Sequence, residues 1–241
     1  MQKNDWRGAL QTKSTLANLI LMGLLWIPYR ILRRINFLAE QAARSRVHAK
    51  RLRAATAVLS QAPRPLKLNL GCGDVFFPGW INVDLEDVRK ANLVWNLTEQ
   101  FPLAEGSCSL IYSEHVVEHF SVEDGLKIFR ECHRLLAPGG VLRIAMPSLE
   151  YCVEAYAKDS WRPDFERWEE LRGVQTRCEA LNVAMRKWGH QWLYDREELH
   201  RRLGEAGFDQ VRDVEWGKSA VEELCNRETR VETLLIVEAV R

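Results

Sequence analysis

The sequence holds no C-x-x-C pair and no cysteine–histidine group at zinc-module spacing. Its six cysteines (Cys72, Cys108, Cys132, Cys152, Cys178 and Cys225) are scattered. No disulfide framework is therefore expected, no metal site is expected, and the thiols read as reduced packing residues in a cytosolic chain. No internal repeat or low-complexity run appears, which leaves out solenoids and tail-like segments. No uninterrupted apolar run reaches the ~20 residues that a membrane-spanning helix needs. The longest such stretch, Ser14 to Tyr29, has sixteen residues and contains Pro28. Lys3, Arg7 and Lys13 precede it as in a signal peptide, yet no small-x-small cleavage pattern follows promptly. Aromatic stacking modules of the kind that accompany nucleic-acid binding are missing too, so no nucleic-acid partner is expected.

Acidic residues are scarce at one end. Residues 1–64 carry twelve Lys/Arg and two acids, whereas the rest carries twenty-two Lys/Arg and thirty-one acids. The formal net charge of +1 conceals that asymmetry. Arg30, Arg33, Arg34, Arg44, Arg46, Lys50, Arg51 and Arg53 stand among helix-compatible residues. An apolar helix followed by a polybasic one suits the surface of an anionic membrane, on the cytoplasmic face. The alternative is a helical arm packed on the domain with a solvated basic face. Ala62-Pro63-Arg64-Pro65 marks the break, giving an arm over 1–63 and a domain over 64–241.

Beyond the break, short apolar runs alternate with helical patterns. Strands are expected at 66–70, 80–84, 92–96, 108–112 and 141–146. Ser121 with Asp124 starts a helix that stops at Pro138-Gly139-Gly140, and Asp195 with Glu198 starts another that ends at Gly207. A helical, tryptophan-rich region over about 148–194 lies between, and two strands near 209–216 and 231–239 form a closing antiparallel hairpin. Such alternation predicts an α/β fold, doubly wound, with a mostly parallel sheet covered on both faces.

The run Leu68-Asn69-Leu70-Gly71-Cys72-Gly73-Asp74 is the most informative. A strand ending in Gly-x-Gly lets backbone approach a ligand where side chains would collide. Phe76 occupies the place of a third glycine, and Asp84 follows Gly71 by thirteen residues, not the ~20 of a dinucleotide fingerprint. A pyrophosphate cradle therefore fits poorly.

These segments, LNLGCGD, GWINVDL, PLAEGSCSLIYSEHVVEHF and RLLAPGGVLRIAMPSLE, resemble the class I, type-11-like S-adenosylmethionine-dependent methyltransferases. They are similar in particular to a bacterial subgroup associated with cell-surface polysaccharide genes. WGHQWLYDREELHRRLGEAGF and ETLLIVEAV fit the same subgroup, so the resemblance runs over roughly 66–240 and omits the arm. It implies a Rossmann-like fold and S-adenosylmethionine as cofactor. It also implies cofactor contacts from Asn69, Gly71, Cys72, Gly73, Asp84, Leu85, Asn96, Leu97, Ser113 and Glu114. Asp84 suits the two ribose hydroxyls, since a carboxylate offers two acceptor oxygens. Asn96 stands where relatives commonly carry Asp beside the adenine.

His115 follows the fourth strand, close to where the methyl would react, and His190 lies in the region expected to cover the acceptor. Both are candidate general bases, because an ordinary histidine titrates near 6.5. His115 and His119 are four apart without an evident third metal ligand. Tyr151, Tyr156, Trp161, Phe165, Trp168, Trp188, Trp192 and Tyr194 supply either core packing or a stacking lid. The expected activity is methylation, foremost O-methylation, of a saccharide or glycan-pathway intermediate. A lipid-soluble acceptor such as a quinone precursor, or a non-catalytic cofactor-binding scaffold, are the alternatives.

Overall fold

A computed structural model of the chain describes residues 29–85, 91–166, 168 and 171–241. The expected apolar segment before Tyr29 lies outside them. Two compact units are distinguished, Met1–Ala54 and Ala55–Arg241. In the first, the described residues belong to helix α1 (Tyr29–Gln61), where Arg33, Arg34, Arg46 and Lys50 are exposed alongside Ile35, Phe37 and Leu38. Among the described residues no helix is long and apolar enough to cross a membrane.

The second unit begins inside α1, earlier than the Pro63 break, because Ala55 and Leu59 are buried in its core. Its strands are β1 (Leu66–Leu70), β2 (Ile81–Asp84), β3 (Leu93–Val94), β4 (Cys108–Glu114), β5 (Leu136–Met146), β6 (Gln210–Asp213) and β7 (Leu235–Val240). They form one sheet in the order β3-β2-β1-β4-β5-β7-β6. The first four ladders are parallel, and β7 runs antiparallel to both β5 and β6. Winding reverses between β1 and β4, as in doubly wound sheets, and ligands bind beyond the strand ends at such a point.

The helices are α2 (Val122–Leu135), α3 (Leu149–Ala157), α4 (Trp161–Glu166), α5 (Arg177–Arg186) and α6 (Arg196–Glu205). Ser121 Oγ accepts the Asp124 N–H at 3.2 Å, and Asp195 Oδ1 accepts that of Glu198 at 2.8 Å, so both expected caps form. Leu68, Ile111, Leu142 and Ala239 share a row on one sheet face, with Ile128, Phe129 and Leu135 of α2 and Leu199 and Leu203 of α6 in the same cluster.

The opposite face carries a polar row: Asn82, Asn69, Tyr112, Arg143, Glu238 and Arg212 are neighbours in register. Among the described residues, Phe77, Trp80 and Leu224, the last in the single turn Glu222–Leu224, pack on this face. Arg143 is fully buried, 2.6 Å from Glu228 and 2.7 Å from Glu238, and it donates to the Lys218 carbonyl. Glu228 also accepts the Gly217 N–H at 3.0 Å. These bonds fasten the 214–230 connection to the sheet. Removing one partner of such a buried pair costs about 3–5 kcal/mol, because the other charge is stranded.

Residues of α3, α4 and α5 form a separate cluster around Phe165, Trp168 and Ala184. The expected stacking lid is thus divided. Phe165, Trp168 and Tyr194 are buried, whereas Tyr156, Trp188 and Trp192 are exposed.

Candidate active site

At the carboxyl end of β1 the backbone turns through Gly71 (φ 61°) and Gly73 (φ 48°), both in the left-handed region. A Cβ on Gly71 would sit 2.3 Å from a methyl of Val116, so this glycine is required by packing. A Cβ on Gly73 would meet no protein atom within 4 Å, so the backbone there borders open space. The Cys72 N–H donates to the Val83 carbonyl at 2.9 Å, and the Gly73 N–H donates to Asp84 Oδ2 at 2.9 Å. Asp84 is half-buried at the end of β2, and Leu85 beside it is exposed. The loop is thus latched to the strand that carries the expected ribose-binding acid.

The side chains of Asn69 and Leu97 are engaged within the protein. Asn69 is buried on the polar face, donating to the Val75 carbonyl and to Asn82 Oδ1, so its side chain shapes the loop from beneath. The Leu97 side chain is packed in the core. Asn96 Oδ1 accepts from the backbone and hydroxyl of Thr98, forming an Asx turn. Cys72 is buried, and burial next to Asp84 pushes its thiol up to about 11, leaving it protonated and unreactive. Asn82 was missed by the sequence reading. It receives Asn69, accepts the Phe77 N–H at 2.9 Å and donates to the Phe77 and Trp80 carbonyls. A polar residue between Ile81 and Val83 in an apolar strand was its signal.

The second part of the site lies beyond β4. Ser113 is buried in the sheet. Glu114 accepts from the Thr229 N–H and hydroxyl, the Arg230 N–H and the Thr233 hydroxyl, so it anchors the 229–233 segment. A carboxylate so occupied acts as a structural clamp on that segment.

His115 has φ 53°, a conformation that costs a non-glycine residue about 1–3 kcal/mol and often marks a functional position. Its Nε2 lies 3.0 Å from Thr233 Oγ1. That hydroxyl gives its proton to Glu114, so Nε2–H is the donor and Nδ1 keeps its lone pair. Burial, with Arg230 nearby, holds the imidazole down at about 3. His115 is therefore neutral and a weak base.

A single turn, Val117–His119, follows. The Glu118 carbonyl accepts the N–H groups of Gln191 and Trp192, and the Gln191 side chain donates to the His119 carbonyl. These bonds bring His190 beside His119, with ring centroids 4.9 Å apart. His190 Nδ1 donates to the Ala184 carbonyl at 3.0 Å, leaving Nε2 with the lone pair. Burial lowers both rings. It also pushes the Glu118 carboxyl up to about 8.

His115, His119, His190, Trp168, Trp188 and Arg230 line a pocket of about 280 Å³. Val116, which packs against Gly71, is the residue after His115. The sequence reading named all three histidines, His115 and His190 as candidate bases, and missed Thr233 and Glu118, which meet them only in the fold.

The space beside Gly73, the latched Asp84 and the exposed Leu85 fit an adenosyl ligand with a ribose diol. A family model described as a methyltransferase domain matches residues 78–144. A phosphoethanolamine N-methyltransferase of Plasmodium falciparum is 31% identical over 120 residues, which cover 45% of this chain and 42% of that protein. The chain thus spans less than half the length of the curated relative it matches. Solved S-adenosylmethionine-dependent methyltransferases are also similar. One from Archaeoglobus fulgidus is 16% identical over 89% of this chain and all of its own, with TM-score 0.44. Another, from Mesorhizobium loti, is 19% identical over 78% of this chain and 98% of its own, with TM-score 0.43.

Proposed function

We propose that this chain is an S-adenosylmethionine-dependent methyltransferase that O-methylates a small hydroxylated acceptor, a saccharide or glycan-pathway intermediate. The observations that carry the reading are the glycine loop latched to Asp84 and a pocket lined by neutral histidines beyond β4. The methyltransferase-domain match over 78–144 supports it.

When bound, S-adenosylmethionine supplies an electrophilic methyl group. The backbone at Gly71 and Gly73 receives it closely, and Asp84 accepts the ribose hydroxyls. Leu85, Asn96 and the Leu97 backbone border the adenine. Trp168 and Trp188 flank the acceptor and orient it, and orientation accounts for much of the rate in such transfers. His190 Nε2, with its lone pair kept by the Nδ1 bond to Ala184, receives the hydroxyl proton. His115 holds the acceptor as a neutral hydrogen-bonding group, positioned by Thr233.

A second reading replaces the hydroxyl by a phosphate-bearing amine. Arg230 in the pocket wall and the likeness to a phosphoethanolamine N-methyltransferase favour it. The exposed arginines and lysine of α1 support a peripheral place on an anionic membrane. Labelled methyl donor with pooled sugars, glycan precursors and phosphoamines separates the readings. Transfer to oxygen of a saccharide supports the first, transfer to amine nitrogen supports the second, and binding without any transfer leaves a scaffold.

A further inference from the structure

Beside the pocket lies a buried group that methyl transfer does not use. Glu118 is 1% exposed, and its Oε1 faces His115 Nδ1 at 3.6 Å, longer than a hydrogen bond. Buried carboxylates are ordinarily paired, hydrogen-bonded or bound to a metal. One donor atom each from Glu118, His119 and His190 lies within 4.8 Å of the others.

We propose that Glu118, His119 and His190 form a binding site for one divalent cation of the zinc, cobalt and iron class. Two imidazoles and one carboxylate are a donor set that these cations accept, whereas magnesium and calcium prefer oxygen alone. Bonds of roughly 2.0–2.2 Å set tetrahedral donors about 3.3–3.6 Å apart, so modest side-chain rotation closes the group.

The surroundings already resemble a ligand shell. His190 directs Nδ1 to the Ala184 carbonyl, and the Trp188 backbone hydrogen-bonds the His119 side chain. Carbonyl partners of this kind fix the tautomer and ring orientation of metal-bound histidines. The Glu118 carbonyl, by accepting from Gln191 and Trp192, ties the two ligand-bearing segments together. Three protein ligands leave a position open toward the pocket, where His119 and His190 are both exposed to its space.

The role of the cation rests on the methyl-transfer reading, but its binding does not. An acceptor oxygen in the open position would lose its proton more readily beside the positive charge. His190 would then act as a ligand, and the cation would replace it in promoting loss of that proton.

The test uses the full chain without a histidine tag, stripped by chelator and titrated with Co(II). One bound equivalent with visible ligand-field absorption is expected. His119→Gln and His190→Gln should abolish that absorption, and Glu118→Gln should weaken binding by at least about tenfold. Glu232→Gln, in the pocket wall outside the set, should leave it unchanged. Absence of saturable absorption in the unmodified protein overturns the site without recourse to any variant. Undiminished absorption in a folded His190→Gln protein does so as well. Calorimetry with S-adenosylmethionine on the metal-free protein is scored separately. Cofactor binding without cobalt binding removes only the cation, and the reverse removes only the methyl-transfer reading.

Discussion

The glycine loop and the histidine pocket are built on opposite terms. In the loop, backbone and side-chain groups find partners close by: Cys72 on Val83, Gly73 on Asp84, Asn69 on Val75. All lie within fifteen residues of Gly71 or in the adjoining strand. The pocket takes its groups from distant segments, among them 115–119, Trp168, 184–190 and 230–232. Beside it lie a buried carboxylate in long contact with His115, 3.6 Å away, and a histidine in left-handed backbone. A satisfied site is preorganised to bind. An unsatisfied one holds polar groups in reserve for something else, an acceptor or a cation. Strain and unmet bonds concentrate where chemistry is done.

Substitutions that separate the two regions sharpen that contrast. The largest effect is expected from Gly71→Ala, which places a methyl 2.3 Å from Val116 in backbone with φ 61°. Left-handed backbone and overpacking together cost about 2–5 kcal/mol, so cofactor binding should vanish and the melting temperature fall. Adding Val116→Ala should restore part of the stability. Full stability in the single variant contradicts the packing assignment.

His190→Gln should act on the other region alone. Losing a general base lowers turnover by about 10²–10⁴-fold. Cofactor affinity, read by calorimetry, should stay within about twofold of the parent, since additivity holds between independent sites. Equal losses in both would merge the two regions into one.

Glu114→Gln weakens the clamp on 229–233. Hydrogen bonds to a charged group contribute about 1.5–3 kcal/mol, so amides of Thr229 and Arg230 should exchange measurably faster. Hydrogen exchange around Gly71 to Asp84 should not change. Uniformly faster exchange would show that the clamp supports the whole domain.

Gly73→Ala is the mildest. Its Cβ meets no protein atom, and left-handed backbone costs an alanine about 1–2 kcal/mol. The protein should remain folded while cofactor affinity drops, because the methyl enters the space assigned to the ligand. Unaltered affinity would place the ligand elsewhere.

Much of the loop side was legible in the residues. Apolar runs with turn signals located β1, β2 and β4, and Ser121 and Asp195 marked helix starts through local chemistry. The Gly-x-Gly turn and Asp84 are near in sequence; their spacing argued against a dinucleotide fingerprint, and the family resemblance supplied their cofactor roles. The pocket was only half visible, because its bonds join residues more than a hundred apart. Glu114 meets Thr229 and Thr233 across such a separation, and His115 meets Thr233. No periodicity announces that approach, so Glu114 was assigned to the cofactor and Glu118 was passed over. The polar row ending in Arg143 and Glu238 was hidden likewise, since it depends on sheet register.

Calorimetric titration of S-adenosylmethionine and S-adenosylhomocysteine into the folded chain, with Asp84→Ala alongside, tests the central claim most directly. The account predicts binding in the micromolar range that weakens by about tenfold or more in the variant, the scale of a lost charged hydrogen bond. A folded parent protein that gives no heat with either ligand, or a variant that binds as tightly as the parent, would contradict it.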